Sequence, residues 1–393
     1  MDIINLLGSA WPEGNVWATL IKIFDVGSYA WTIILFTIVL KLILTPLDFF
    51  QRYYTNKTAR QQAKLRPQLE KLQKQYGNNQ TLLYQKQNEL YKRSGFSMKG
   101  SCIVMLVYMV ATLVIFLTLF NSIQYIAGFK MKTQFDTLKE TYYSSYNPNY
   151  NTYYGIDESV LNAFETEEEK TTYINTLLTA KQNEIKAEIE AGLTEPITEE
   201  ELATRVESRI NDDLSVYKGE AQELVVQKYE EIKDSWLWIK NIWIADKPTV
   251  NEILTYDAYK NATNDTISKE EYNTIMSKLL NGDTNGVNGY YILSILVVGV
   301  SLLSQFLSRK SMQPKDGANA QNQGAMAKVM MFFLPVVMLL FTLRSSSIFS
   351  IYMLANSLIS TLLMPLTNKL CNVISDKQEK KQEQVNRVDY RRY

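Results

Sequence analysis

The chain has 393 residues, 46% of them hydrophobic, with 41 Lys/Arg balanced by 41 Asp/Glu and no histidine. The missing histidine excludes His-dependent acid–base catalysis and the commonest metal ligand, and two separated cysteines, Cys102 and Cys371, make no zinc site. The apolar residues are not spread as in a soluble domain but gathered in blocks at 29–47, 103–126, 290–307, 329–343 and 348–366. A hydrocarbon core about 30 Å thick needs ~17–25 helical residues, so the pattern predicts an all-α polytopic membrane protein. Its expected parts are five transmembrane helices, a cytoplasmic helical hairpin and a large, mostly helical extracellular insertion.

Charge orients these parts. Residues 49–99 hold 11 Lys/Arg against two acids, 309–328 four against one, and 369–393 seven against four, whereas 129–289 hold 16 basic and 30 acidic residues. Short basic loops stay cytoplasmic and long acidic segments can be translocated. The expected location is a plasma membrane, with the N-terminus outside and the C-terminus inside. Met1-Asp-Ile-Ile-Asn lacks the basic start of a cleavable signal peptide, and cysteines at cytoplasmic span ends predict no structural disulfide.

Residues 1–28 carry Val16, Leu20, Ile23 and Phe24 on one helical face, with Trp11 and Trp17 suited to headgroup level. They read as an outer interfacial amphipathic segment, the alternative being an extension of the first span. That span, 29–47, contains one lysine, Lys41, whose charge in the hydrocarbon costs ~2.5–3.5 kcal/mol on insertion scales. Lys41 lies five residues before Pro46 and could snorkel to the cytoplasmic interface. Residues 48–100 are polar and basic. Leu65, Leu69, Leu72 and Tyr76 recur at helical spacing, Gly77-Asn-Asn-Gln interrupts, and Leu83, Leu90 and Tyr91 resume the pattern, which predicts a cytoplasmic hairpin with narrow apolar stripes. Its basic faces suit anionic lipid or a partner.

The second span, 101–128, is dotted with Tyr108, Thr112 and Thr118. In the acidic insertion, 129–289, the Tyr/Asn-rich stretch 142–154 reads as a loop by composition. A continuous helix is expected over 165–192 and another opened by Thr198-Glu-Glu-Glu201, within a small helical domain over about 155–233. Three tryptophans in Trp236-Leu-Trp-Ile-Lys-Asn-Ile-Trp243 read as interfacial anchors returning the chain to the membrane surface. Two further helices follow, one opened by Ser268-Lys-Glu-Glu271. Residues 266–272 echo the second half of a calcium-binding loop, but Lys260 and Ala262 stand where its first ligands belong and Asp265 where glycine belongs. Residues 281–286 mimic a first half, with Ile292 at position twelve. Both are read as capping or turn signals, with no metal.

The third span, 290–308, carries Ser304 and Gln305. A flexible cytoplasmic loop, 309–328, precedes the fourth span, 329–343, which Arg344-Ser-Ser-Ser joins tightly to the fifth, 348–368, with Tyr352, Asn356 and Ser357. The basic tail, 369–393, reads as disordered. There is no phosphate-binding loop, and Asp and Glu lie outside the spans except at edges such as Asp48. Nucleotide hydrolysis and ion coupling both lack their parts, so no enzyme and no cofactor are expected. Polar residues in spans face a bundle interior or a wet cavity, or serve as interhelical bonds contributing ~0.6 kcal/mol each.

Several segments in order resemble the YidC family of membrane protein insertases. They are the run 31–47 with its basic residue and Thr-Pro-Leu end, and Leu65-Arg-Pro67-Gln-Leu69-Glu-Lys-Leu72-Gln-Lys-Gln-Tyr76, which is similar to the family's cytoplasmic hairpin. Then follow Gln87-Asn-Glu-Leu-Tyr-Lys92, Gly100-Ser-Cys102, Trp236-Leu-Trp-Ile239, Tyr290-Tyr-Ile-Leu293 and Ile351-Tyr-Met-Leu-Ala-Asn-Ser-Leu358. The resemblance spans roughly 15–128 and 235–368. It implies an insertase that receives nascent membrane proteins in a hydrophilic groove open to cytoplasm and bilayer and releases them sideways into lipid. Groove residues would be Lys41, Tyr108, Thr112, Ser304, Gln305, Tyr352, Asn356 and Ser357, and hairpin residues Leu65, Pro67, Leu69, Leu72 and Tyr76. Lysine stands where the family carries arginine, and Val104 and Tyr108 replace its proline and glutamine. The basic segments suit a ribosome or translocation channel, and residues 140–230 an unknown outer partner. The alternative is a membrane scaffold or translocation accessory acting through the acidic domain.

Overall fold

The computed structural model describes residues 14–94, 98–282, 285–312 and 324–390. Trp11 and the start of the interfacial segment lie outside them. Among the described residues every regular element is a helix, apart from isolated bridges Trp236–Ile239 and Asn251–Val287. The helices are α1 (Val16–Lys22), α2 (Tyr29–Tyr76), α3 (Gln80–Arg93), α4 (Met98–Tyr154), α5 (Glu158–Leu161), α6 (Glu167–Ala191), α7 (Glu199–Ile232), α8 (Tyr256–Thr263), α9 (Lys269–Asn281), α10 (Ile292–Met312), α11 (Gly324–Arg344) and α12 (Ser347–Tyr390). They form two compact units. One comprises 128–233 and 251–287, and the other the remaining described residues.

Three helices are long and apolar enough to cross a membrane: Tyr29–Gln61, Ile103–Tyr154 and Ser347–Gln378. Two shorter apolar helices, Ile292–Ser308 and Pro335–Arg344, correspond to the expected third and fourth spans.

The acidic unit has its own core. Phe135, Leu138 and Tyr142 of α4 pack with Ala221, Val225 and Tyr229 of α7, Tyr259 of α8, and Tyr272, Ile275 and Leu279 of α9. The predicted helix starts are in place: Thr198 and Ser268 accept hydrogen bonds from the amides of Glu201 and Glu271, and Thr166 with Glu169 forms a full capping box. Residues 142–154 are not the expected loop but the last turns of α4. Tyrosines spaced four apart stack along one face, with ring separations of 5.5, 5.7 and 4.7 Å from Tyr142 through Tyr146 and Tyr150 to Tyr154. Such i,i+4 contacts outweigh the loop-forming tendency of Asn and Pro148. Gly155, at φ +70°, then ends the helix: its amide and that of Ile156 donate back to the Thr152 and Asn151 carbonyls. Gly128 sits where a β-carbon would lie 2.6 Å from the Ala262 carbonyl oxygen, so only glycine permits the approach of α4 to α8.

The echo of a calcium loop has other partners. Asp265 accepts from the Tyr259 hydroxyl at 2.7 Å and pairs with Lys132 at 2.9 Å. Burial pushes its carboxyl up, but these bonds and the Thr266 amide outweigh burial and hold it below its ordinary value. Glu271 is held low chiefly by Lys139, 2.7 Å away, with help from the Tyr143 hydroxyl.

In the other unit α2 runs unbroken from Tyr29 to Tyr76 through Pro46 and Pro67, so the first span and the first hairpin arm are one helix. α3 is the second arm. Of the hairpin residues, Leu65 is buried, Leu69, Leu72 and Tyr76 are half-buried and Pro67 is exposed, as a narrow stripe requires. α1 is separate from α2, since Gly27 breaks the chain between them at φ +82°. It buries Ala18 and Ile21 while Val16, Leu20 and Ile23 stay exposed. The tail is not disordered over its described residues: α12 continues to Tyr390, and its polar side chains bond to α2. Arg52 donates to Asn368, Asn56 and Arg60 to Asn372, and Arg60 pairs with Asp376 at 2.6 Å. The constant offset of 316 residues between 52 and 368, 56 and 372, and 60 and 376 marks a parallel pair advancing one helical turn at a time. α10 and α11 extend into the predicted loop 309–328, of which 313–323 lie outside the described residues.

Candidate functional site

Segment 234–250 closes one end of the membrane unit. It is strapped to the starts of two helices, α10 and α12. Asn288, with no exposed surface, accepts from the Asn241 amide at 2.8 Å and donates to the Asn241 and Ala245 carbonyls. The Asp246 carboxylate accepts from the amides of Tyr290 and Leu293, both at 2.7 Å, capping α10 from a distant stretch of chain. Ser347 and Ile348, opening α12, donate to the carbonyls of Ile244 and Ile242. Trp243 is not a surface anchor as expected: it is buried, and its indole nitrogen donates to Asp234 at 2.7 Å. Trp236 and Trp238 are half-buried.

Burial then falls away along the bundle. On α2, Ala30, Thr32, Ile33, Phe36 and Thr37 are buried, but no described side chain from Ile38 to Lys64 is. On α4, Leu119, Ile123, Ile126 and Ala127 are buried, while residues 103–118 are half-buried or exposed. On α10, Leu293, Ser294 and Val297 are buried and the described residues beyond are not. Near the capped end α4 is held by ring contacts of Phe116 and Phe120 with Phe341 and Phe349, at 4.8 to 5.9 Å.

Lys41 stands at the start of the unburied half, and it is not alone. Its Nζ lies 2.8 Å from Asp48 Oδ2, with the two side chains 14% and 18% exposed. The other oxygen, Oδ1, accepts from the Tyr108 hydroxyl at 2.8 Å, tying α2 to α4. Asp48, placed at a span edge by sequence, lies within the apolar helix Tyr29–Gln61. The lysine side chain does reach along α2 in the direction snorkelling requires, but it ends on a carboxylate seven residues on, ~10.5 Å along the axis.

The pair lines a small cavity with Thr45, Arg52, Ser360, Leu363, Met364 and Thr367. Residues 41, 45, 48 and 52 share one face of α2, and 360, 363, 364 and 367 face them from α12. Of the expected groove residues only Lys41 lines this cavity, and Tyr108 reaches it through Asp48. The Thr112 hydroxyl bonds back to its own helix at the Tyr108 carbonyl. Tyr352 is buried against Phe349 near the capped end. Asn356 and Ser357 are half-buried and offer their carbonyls to Ser360 and Thr361. Ser304 and Gln305 are half-buried on α10, and the Gln305 amide nitrogen is shielded without a hydrogen-bond partner. Sequence reasoning missed Asp48 and Arg52 as site residues. Their spacing of seven and eleven from Lys41 was the available signal.

Comparison with known proteins agrees with the architecture. Residues 21–183 match the model of the family described as 60Kd inner membrane protein. A membrane protein insertase YidC of Fusobacterium nucleatum is 37% identical over 82 residues, covering 21% of this chain and 38% of that protein. One of Clostridium tetani is 34% identical over 101 residues, covering 26% and 44%. Over these residues the chain is similar to the YidC family of membrane protein insertases. The family match takes in Lys41, Asp48, both hairpin arms and Tyr108, and it runs into the acidic unit, further than the expected limit at 128. The resembling YidC segments at 236–239, 290–293 and 351–358 lie beyond it. The chain spans less than half the length of these YidC relatives. No solved structure matches.

Proposed function

We propose that this protein is a membrane protein insertase that receives nascent membrane proteins in a wet, charged groove and releases them laterally into the bilayer. The reading rests on one observation above all: the bundle is packed and strapped at one end and unburied at the other, with an ionisable cluster where the packing stops. Such a cavity shortens the hydrophobic barrier that a polar tail must cross. The substrate's own span then partitions into lipid, and hydrophobic burial drives the step without nucleotide.

In this proposal the five apolar helices all span. The packed end with 234–250 faces outward, and the basic hairpin and α12's extension face the cytoplasm, in accord with the positive-inside rule. Tyr108, Thr112, Ser304, Gln305, Asn356 and Ser357 line the route, and the hairpin stripe Leu65, Leu69, Leu72 and Tyr76 with Pro67 positions the basic arms. Those arms meet anionic lipid and the ribosome or translocation channel that delivers the chain. A partner for the acidic unit would bind its exposed faces, chiefly α6, on which Ile185 is buried.

The test is insertion of single-span substrates into vesicles bearing the purified protein. Lys41→Ala should slow substrates with acidic outer tails, Lys41→Arg should be tolerated, and a photoreactive residue at position 41 should crosslink ribosome-bound nascent chains. Full insertion by Lys41→Ala with acidic tails, together with no crosslink, would overturn the reading.

A further inference from the structure

The Lys41–Asp48–Tyr108 cluster gives the site more than a positive charge. Asp48 uses one oxygen on Lys41 and the other on the Tyr108 hydroxyl, so the lysine is neutralised inside the chain. Arg52, one turn beyond Asp48 on the same face, lines the same cavity and donates through Nη1 to Asn368 at 3.3 Å. Asp48 thus stands between two cations, seven residues after one and four before the other. The second spacing is the one at which carboxylate and guanidinium pair along a helix.

Resting on the insertase reading, we infer that Asp48 is the residue that sets which substrates engage Lys41. It occupies the lysine in place of a substrate carboxylate and yields it only in exchange. When an acidic residue of an incoming tail takes Lys41, Asp48 turns to Arg52, and no carboxylate is left unpaired in a partly desolvated cavity. A neutral tail offers no exchange and leaves the pair closed. A basic tail would need Asp48 itself and would strip Lys41 of its partner, so the arrangement also disfavours cationic tails. The cluster therefore reads tail charge by swapping partners: one ion pair and the hydrogen bonds of Tyr108 to Asp48 and of Arg52 to Asn368 open, and two ion pairs form in their place. Tyr108 gives the exchange a second readout, since its hydrogen bond to Asp48 ties α4 to α2 only while Asp48 points toward Lys41.

The experiment uses the full-length protein in vesicles and a single-span substrate whose outer tail carries zero, one or two glutamates. The quantity read is the rate ratio of the one-glutamate to the zero-glutamate tail. Asp48→Asn, which frees Lys41 at unchanged size, should raise that ratio by about tenfold, in the range of close charge-pair couplings. Asp48→Glu should restore the wild-type ratio. Arg52→Gln, which removes the alternative partner, should lower it below wild type. Lys41→Ala should flatten the response to tail charge in both the wild-type and Asp48→Asn backgrounds. If Lys41→Ala flattens the response but Asp48→Asn leaves the ratio at its wild-type value, partner exchange is wrong and the insertase reading stands. If tail charge has no effect on any variant, the groove-charge reading fails with it.

Discussion

The cap that Asp246 places on α10 bears a definite load. Its carboxylate is 2% exposed and holds two amides, of Tyr290 and Leu293, at 2.7 Å each. Neither amide has an alternative within its own helix, because both belong to the first turn or the residues before it. Asp246→Ala would leave one buried donor, of Leu293, and one partly buried donor, of Tyr290, unpaired, at ~1–3 kcal/mol for the first and less for the second, for a total of ~3 kcal/mol. Set against a typical stability of about 5–15 kcal/mol, that is a large loss. At roughly 2–4 °C per kcal/mol for a unit of this size, the apparent Tm should fall by on the order of 10 °C. The readout is intrinsic tryptophan fluorescence of the full chain in detergent, in which Trp243 reports directly on the strap. Asp246→Asn keeps one acceptor and turns an amide toward the other donor, so it should fall between wild type and Asp246→Ala. If Asp246→Ala melts within ~2 °C of wild type, or if Asp246→Asn is the worse variant, the strap does not hold the capped end as described.

The ladder between α2 and α12 should be governed by Asn372, which accepts from both Asn56 and Arg60. Asn372→Ala should destabilise the hairpin-side ends more than Asp376→Ala, whose half-exposed ion pair contributes only ~0.2–1 kcal/mol; proteolysis of the α12 extension measures both. Acid should loosen the 128–233 and 251–287 unit. Asp265 and Glu271 are held below their ordinary values, so their stabilisation is complete above the unfolded values of about 4 and is lost as pH falls through the lower folded ones. Protease resistance of that unit should hold from pH 7 to about 5 and drop below about 4, less steeply in Asp265→Asn; equal steepness in wild type and variant would contradict the assignment. Gly128→Ala should destabilise the same unit by ~1–3 kcal/mol through the 2.6 Å clash with Ala262, visible as faster cleavage between 128 and 287.

Hydropathy and capping were the legible layers. Helix starts at Thr198 and Ser268 follow from side-chain chemistry within four residues, and the apolar blocks follow from counting. Residues 142–154 were misread because Asn, Ser and Pro weigh against helix locally, whereas the stacked tyrosines that favour it act through spacing. The tail after 368 failed for a related reason. Its composition is that of a solvated chain, and only the partner helix supplies the acceptors and donors that order Asn372 and Asp376. Trp243 shows the limit of an amphipathic residue as a signal: the same indole suits a lipid interface or a buried bond to Asp234. In the site, Lys41 was legible as an anomaly of charge, but its neutralisation was not, because Asp48 was assigned to the span's edge. The uninterrupted α2 brings the two side chains together.

The unbroken course of α2 also makes the site mechanical. A helix of 48 residues is a rod of ~72 Å, and Tyr76 stands ~52 Å along it from Lys41. Its one flaw inside the site is Pro46, which lacks the amide that would bond the Leu42 carbonyl and so marks the cheapest place to flex. Lys41 and Asp48 lie on opposite sides of that joint. A push on the hairpin tip works as a lever with its fulcrum between the two charges: tilting the ~45 Å arm beyond Pro46 by ~10° moves the tip ~8 Å, and that rotation is delivered to the ion pair, where only a few ångströms separate closed from open. In the proposed insertase, docking at the hairpin and charge exchange at Lys41 would in this way be two ends of a single stroke.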